Sequence, residues 1–133
     1  MTLSNTHFLR NALRVDAVFS GAGALLMAGG ASLLSPLLGL PQPLLFWVGI
    51  VLIPWTILVA TMSRRPTISR LLLIDVIGIN ALWAAASIGL LVTGLVSPTA
   101  LGYAFVIAQA AAVALFAELQ LVGMRRAAPA VAA

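Results

Sequence analysis

RLLLIDVIGINALWAAASIGLLVTGLV, residues 70–96, is the stretch that decides the fold. Asp75 is the only charge between Arg70 and Val96. A helix needs about 20 predominantly apolar residues to cross the hydrocarbon of a bilayer, so 71–96 is long enough to span once and too short to span twice. Three further stretches pass the same test, at about 13–38, 44–62 and 100–124. Between the four sit Ser35-Pro36 with Leu40-Pro41-Gln42-Pro43, then Ser63-Arg64-Arg65-Pro66, then Ser97-Pro98-Thr99. Proline lacks the N–H that a helix interior needs, so each break predicts a short turn between antiparallel neighbours.

Composition points the same way. Of the 133 residues, 62% are hydrophobic and 8% charged, with a mean hydropathy of +1.15, whereas a soluble domain carries about 25% charged residues. The expectation is one all-α transmembrane domain over 1–133, with no separate soluble domain. The sequence pI is about 11.6, but every basic residue is an arginine at the edge of an apolar segment, a topology signal and not a nucleic-acid footprint. With no cysteine, disulfides, iron–sulfur clusters and thiolate metal sites are excluded.

Arg10 and Arg14 precede or open the first span, Arg64, Arg65 and Arg70 separate the second from the third, and Arg125 and Arg126 follow the fourth. The connections at 35–43 and 97–100 carry no charge. Positive charge stays on the cytoplasmic side, so both termini are expected inside. A competing reading makes residues 1–31 a secretory signal peptide ending at Ala28-Gly29-Gly30-Ala31, but the apolar run continues well past that point.

The halves suggest a tandem duplication. Arg14-Val15-Asp16-Ala17-Val18 resembles Leu73-Ile74-Asp75-Val76-Ile77, Ser35-Pro36 resembles Ser97-Pro98, and Met62-Ser63-Arg64-Arg65 resembles Gly123-Met124-Arg125-Arg126. Each half would be an antiparallel helical hairpin, giving a parallel internal repeat in place of the inverted kind found in many transporters. Small residues let helices approach in lipid. Tight packing is therefore expected along Ser20, Ala24, Ala28 and Ser32, along Asp75, Gly78, Ala85, Ala86, Gly89 and Thr93, and along Ala100, Ala104, Ala108 and Ala112. The bulky second span, with Phe46, Trp47, Ile53, Trp55 and a kink at Pro54, is expected to face lipid or a partner.

Polar residues inside spans are expensive and therefore mark candidate sites: Asp16, Asp75, Asn80, Gln109 and Glu118. The three acids lie near the arginine end, where pairing with Arg14, Arg64, Arg65, Arg70 or Arg125 would pin helix register. Asn80 and Gln109 sit near mid-helix and are expected to bond to each other or to face a polar cavity. By helical phase Asp75 and Asn80 are about 140° apart, and Gln109 and Glu118 oppose each other. His7 has no second ligand in view and reads as an interfacial residue, and Trp47 and Tyr103 fit an aromatic belt. No catalytic constellation, metal-ligand spacing or phosphate-cradling loop is present, and Gly21-Ala22-Gly23 reads as a packing element. No enzyme activity, cofactor or metal is expected.

The stretch from Asp16 to Gly23, Leu38-Gly39-Leu40-Pro41, Asn80-Ala81-Leu82-Trp83 and Gln109-Ala110-Ala111 carry a resemblance to small, uncharacterised four-helix integral membrane proteins of bacteria. That resemblance implies an inner-membrane location and brings no activity. Small multidrug transporters are similar in length and helix number, but their essential acid lies inside the first helix, and 17–32 here has none. The expectation is a non-catalytic accessory or scaffolding protein, in a homodimer or with other membrane subunits. The alternative is a small transporter or channel for a proton, a cation or a hydrophobic solute.

Overall fold

The computed structural model describes residues 1–130. The chain runs β1 (Thr2–Ser4), α1 (His7–Leu38), α2 (Gln42–Arg64), β2 (Thr67–Ser69), α3 (Arg70–Val92) and α4 (Ala100–Arg126). All four helices are long and apolar enough to cross a membrane. The boundaries follow local chemistry. Thr6, Ser69 and Thr99 each cap a helix by accepting a backbone N–H three residues on. Helix α1 ends where Gly39 turns left-handed (φ 66°), a conformation open to glycine at no steric cost. Helix α3 stops at Val92, short of the expected 96, where Thr93 and the left-handed Gly94 lead into the turn. Pro36 and Pro54 lie inside α1 and α2, which run unbroken through them.

Two short strands were not expected. Thr67-Ile68-Ser69 pairs antiparallel with Thr2-Leu3-Ser4, and Leu3 also bridges to Pro129. Leu3 and Ile68 alternate inward and are buried beneath this small sheet. Asn5 fastens it to the bundle: its Nδ2 donates to the carbonyls of Met62, Ser63 and Arg65 at and just past the end of α2, where carbonyls run short of helical partners. At the opposite end, Thr99 donates from its backbone to Leu38 O and from its hydroxyl to Leu37 O. Gly102 is required here, because a Cβ would collide with the Leu38 carbonyl.

Helix α1 packs on α2 and α4, and α3 packs on α4, but α2 and α3 lack a continuous contact. Helix α2 also makes a close backbone approach, with Gly49 against the Ala28 backbone. It thus packs closely on one face, while the bulky residues expected to face lipid or a partner include the exposed Phe46, Trp47 and Ile53. Gly21 meets Thr56 in the same seam, so Gly21 and Gly23 are packing residues. The small stripe on α1 is partly inward, with Ser20 and Ala24 buried and Ser32 exposed. The expected stripes on α3 and α4 point the other way: Gly78, Ala85, Ala86, Ala100, Ala104 and Ala108 are exposed. The buried face of α4 is Val106, Ala110, Val113, Ala117 and Gln120, spaced by alternating steps of four and three. The matching segments of the two halves also differ in surroundings, since Asp16 is buried and Asp75 exposed.

Candidate functional site

Asp16 is the centre of a polar cluster inside the bundle. It is 1% exposed, Gln120 0%, Asn80 4% and Ser20 6%. Helix α1 sets Asp16 and Ser20 one turn apart on its inner face. Asn80 shares the buried face of α3 with Leu73 and Val76. Gln120 reaches the cluster because Gly123, one turn further along α4, lets that helix close on Leu9, whose Cα lies 3.3 Å from the position a Cβ would take.

The hydrogen bonds form a closed set. Ser20 Oγ donates to Asp16 Oδ1 at 3.0 Å. Asn80 Nδ2 donates to Asp16 Oδ2 at 2.9 Å and to Gln120 Oε1 at 3.0 Å. Gln120 Nε2 donates to the same Asp16 Oδ2 at 2.7 Å. Three neutral donors from three helices thus serve one carboxylate. A buried carboxylate demands such partners, and turning either amide over would set oxygen against oxygen.

The ion pair expected for Asp16 is absent from this set. Arg14 is two residues away on the same helix, about 200° around it, and is exposed where Asp16 is buried. Asp75 and Glu118 are exposed on the outside of α3 and α4 and do not join the cluster. Asn80 and Gln109 do not bond to each other. Gln109 Oε1 accepts from Trp83 Nε1 at 3.0 Å, and its Nε2 donates to Val106 O at 3.0 Å. The expected phases hold, with Asn80 inward of Asp75 and Gln109 inward of Glu118. Sequence reasoning missed Gln120. Its signal was the step pattern of α4, which puts it on the stripe running from Val106 through Ala117.

Above the cluster lies a cavity of about 270 Å³. Its walls come from all four helices: Phe19 and Leu26, Leu52 and Trp55, Ile79 and Trp83, Phe105 and Val113. Ser20, Asn80 and Gln109 supply its polar groups, so Asn80 and Gln109 share one cavity while Asp75 and Glu118 do not. Helices α2 and α3 make no extended backbone approach on this side, where Leu52, Trp55, Ile79 and Trp83 form the walls. Such a space, apolar with a few convergent polar groups, is the form that small-molecule sites take. Among the described residues, no three metal-ligating acids, histidines or cysteines come together. No protein-family model, curated protein or solved structure matches this chain.

Proposed function

We propose that the protein is a non-catalytic integral membrane protein that holds a hydrophobic solute taken from the surrounding bilayer. The carrying observation is the 270 Å³ apolar cavity, walled by all four helices, with α2 and α3 set apart at the backbone. In this reading the arginine end faces the cytoplasm, with both termini inside and the bacterial inner membrane as host, following the charge asymmetry of the loops. The solute enters sideways, since polar solutes would meet the arginine-end sheet below and the Leu38–Thr99 junction above.

Photolabelling in lipid nanodiscs tests this. Adamantyl diazirine is compact enough for the cavity, and peptide mass mapping reads where it inserts. Saturable labelling of Met27, Leu52 or Phe105, competed by unlabelled adamantane and lost in Gly23→Leu, is expected. The Gly23 side chain position meets only Leu52 and Met27 at 3.5 Å, so a larger residue there fills the cavity without striking backbone. Label confined to outward residues such as Leu25, Leu82 and Val92 would reject the reading.

A homodimer or larger membrane complex is supported by a different observation. Gly78, Ala85 and Ala86 of α3 face outward, with nothing within 4 Å of the Gly78 Cβ position, and small residues favour helix association in lipid. Native mass measurement after mild detergent extraction decides it, and a single protomer would count against it.

A further inference from the structure

Counting protons on the polar side chains of the cavity shows what kind of head group it can accept. Ser20 has one hydroxyl proton, and it is committed to Asp16 Oδ1. Asn80 has two amide protons, committed to Asp16 Oδ2 and Gln120 Oε1. Both residues line the cavity. At the Asp16 end of the cavity these two have only acceptor capacity left, the Ser20 Oγ lone pairs and the Asn80 Oδ1. Each is bonded through its own proton to the Asp16 carboxylate, which strengthens it as an acceptor. The one spare amide proton on the walls belongs to Gln109 Nε2, whose other proton goes to Val106 O.

Resting on the reading of the cavity as a solute site, we infer that its ligand is an apolar molecule bearing a hydrogen-bond donor head, an ammonium in preference to a hydroxyl. The preference for charge has two sources. The Asp16 carboxylate is bonded only by neutral donors, so the site has an acid with no counter-cation beside it. Phe19, Trp55, Trp83 and Phe105 bring four aromatic rings to the walls, and ring faces attract cations. A head that can only accept would meet oxygen at the Asp16 end. Held there it would be left unsatisfied in a low-dielectric site, with the spare Gln109 Nε2 proton as its one alternative, and such mismatches discriminate.

Three isosteric competitors against adamantyl diazirine test this in nanodiscs: 1-adamantanamine, 1-adamantanol and 1-methyladamantane, each scaled to its concentration in the bilayer. The amine should compete roughly tenfold better than the methyl compound and the alcohol roughly threefold better, as charged and neutral hydrogen bonds differ. Asp16→Asn should bring the amine down to the level of the alcohol. Should that variant fail to fold, Ser20→Ala keeps the carboxylate and should still cost the alcohol most of its advantage. Equal competition by all three compounds overturns the donor rule while leaving the cavity reading intact. Absence of any saturable labelling removes both. An amine advantage that survives in folded Asp16→Asn overturns the role of the carboxylate.

Discussion

Replacing Gln120 with leucine tests whether the Asp16 cluster holds three helices together. The side chain is fully buried, so the substitution acts inside the bundle. It removes the 2.7 Å bond from Nε2 to the carboxylate and the 3.0 Å bond that Oε1 accepts from Asn80. A bond to a charged group contributes about 1.5–3 kcal/mol and a neutral one about 0.5–1.5 kcal/mol in water-soluble proteins. Between membrane helices the average falls to about 0.6 kcal/mol with a maximum near 1.7, because the separated helices find other partners in lipid. Leucine regains little, since lipid tails are as apolar as the core. Two bonds lost from one carboxylate centre therefore cost about 1.5–3 kcal/mol. Reversible unfolding by SDS in mixed micelles, followed by the fluorescence of Trp55 and Trp83, measures this. Gln109→Leu loses the one interhelical bond, accepted from Trp83, and a local one donated to Val106 O on its own helix, and should cost about 0.6–1 kcal/mol. Glu118→Gln, on the outer face, should leave the transition where it is. A Gln120→Leu transition within about 0.5 kcal/mol of the unmodified protein, the range of an ordinary surface substitution, would refute the reasoning.

Further outcomes follow from other parts of the fold. Gly49→Leu drives a side chain into the Ala28 backbone and should cost more than about 2 kcal/mol in the same SDS titration, in line with overpacked cores. Single cysteines at Gln42 and Arg65, both exposed at opposite ends, should react with a membrane-impermeant thiol reagent from opposite sides of a vesicle. Reaction of both from one side would remove the four-span topology. In liposomes with a pH gradient, Asp75→Asn and Glu118→Gln should leave proton flux unchanged, because neither acid lines the cavity. A flux abolished by either would point to a path along the outer face.

Helix number and approximate boundaries were legible because they depend on local quantities. Uninterrupted apolar length, proline breaks and arginine flanks are all read within one segment. Helical phase was legible too, since it put Asn80 opposite Asp75 and Gln109 opposite Glu118 before any packing was known. What could not be read was which helix each face meets. The stripes Ala100-Ala104-Ala108 and Gly78-Ala85-Ala86 meet the small-residue pattern and yet face outward. In a chain this rich in alanine and glycine, smallness marks more faces than the bundle can bury. Partner choice for Asp16 failed for a related reason. Arginine was the obvious counter-charge, but the solution is three neutral donors from α1, α3 and α4, and that requires knowing that the three helices converge. The pairing of Thr2–Ser4 with Thr67–Ser69 is non-local in the same sense.

The backbone separation of α2 from α3 can itself be traced to particular residues. Aligning the halves on Arg64-Arg65 and Arg125-Arg126 sets Val59 against Gln120 and Met62 against Gly123. On the α1–α4 side, Gly123 lets the backbone close on Leu9, and Gln120 ties the seam to Asp16. The corresponding seam would join α3 to α2. There Met62 puts a long side chain where α4 has none, Val59 offers no hydrogen bond, and Asp75 points away from the bundle. Val59 and Met62 instead pack into the apolar cluster with Leu73 and Val76, filling the arginine end with side chains in place of a close backbone approach. One seam closes at the backbone and the other is filled by side chains, and in the proposed reading the space between α2 and α3 is the way into the cavity. Met62→Gly with Val59→Gln would transplant the closing pair, but without an inward acid on α3 the new glutamine would have no carboxylate to donate to. The double variant should therefore lose stability without closing the cavity, and undiminished adamantyl diazirine labelling in whatever fraction remains folded is the expected result. Loss of labelling with stability retained would show that the seam residues alone set the opening, and that Asp16 is not needed to close its own side.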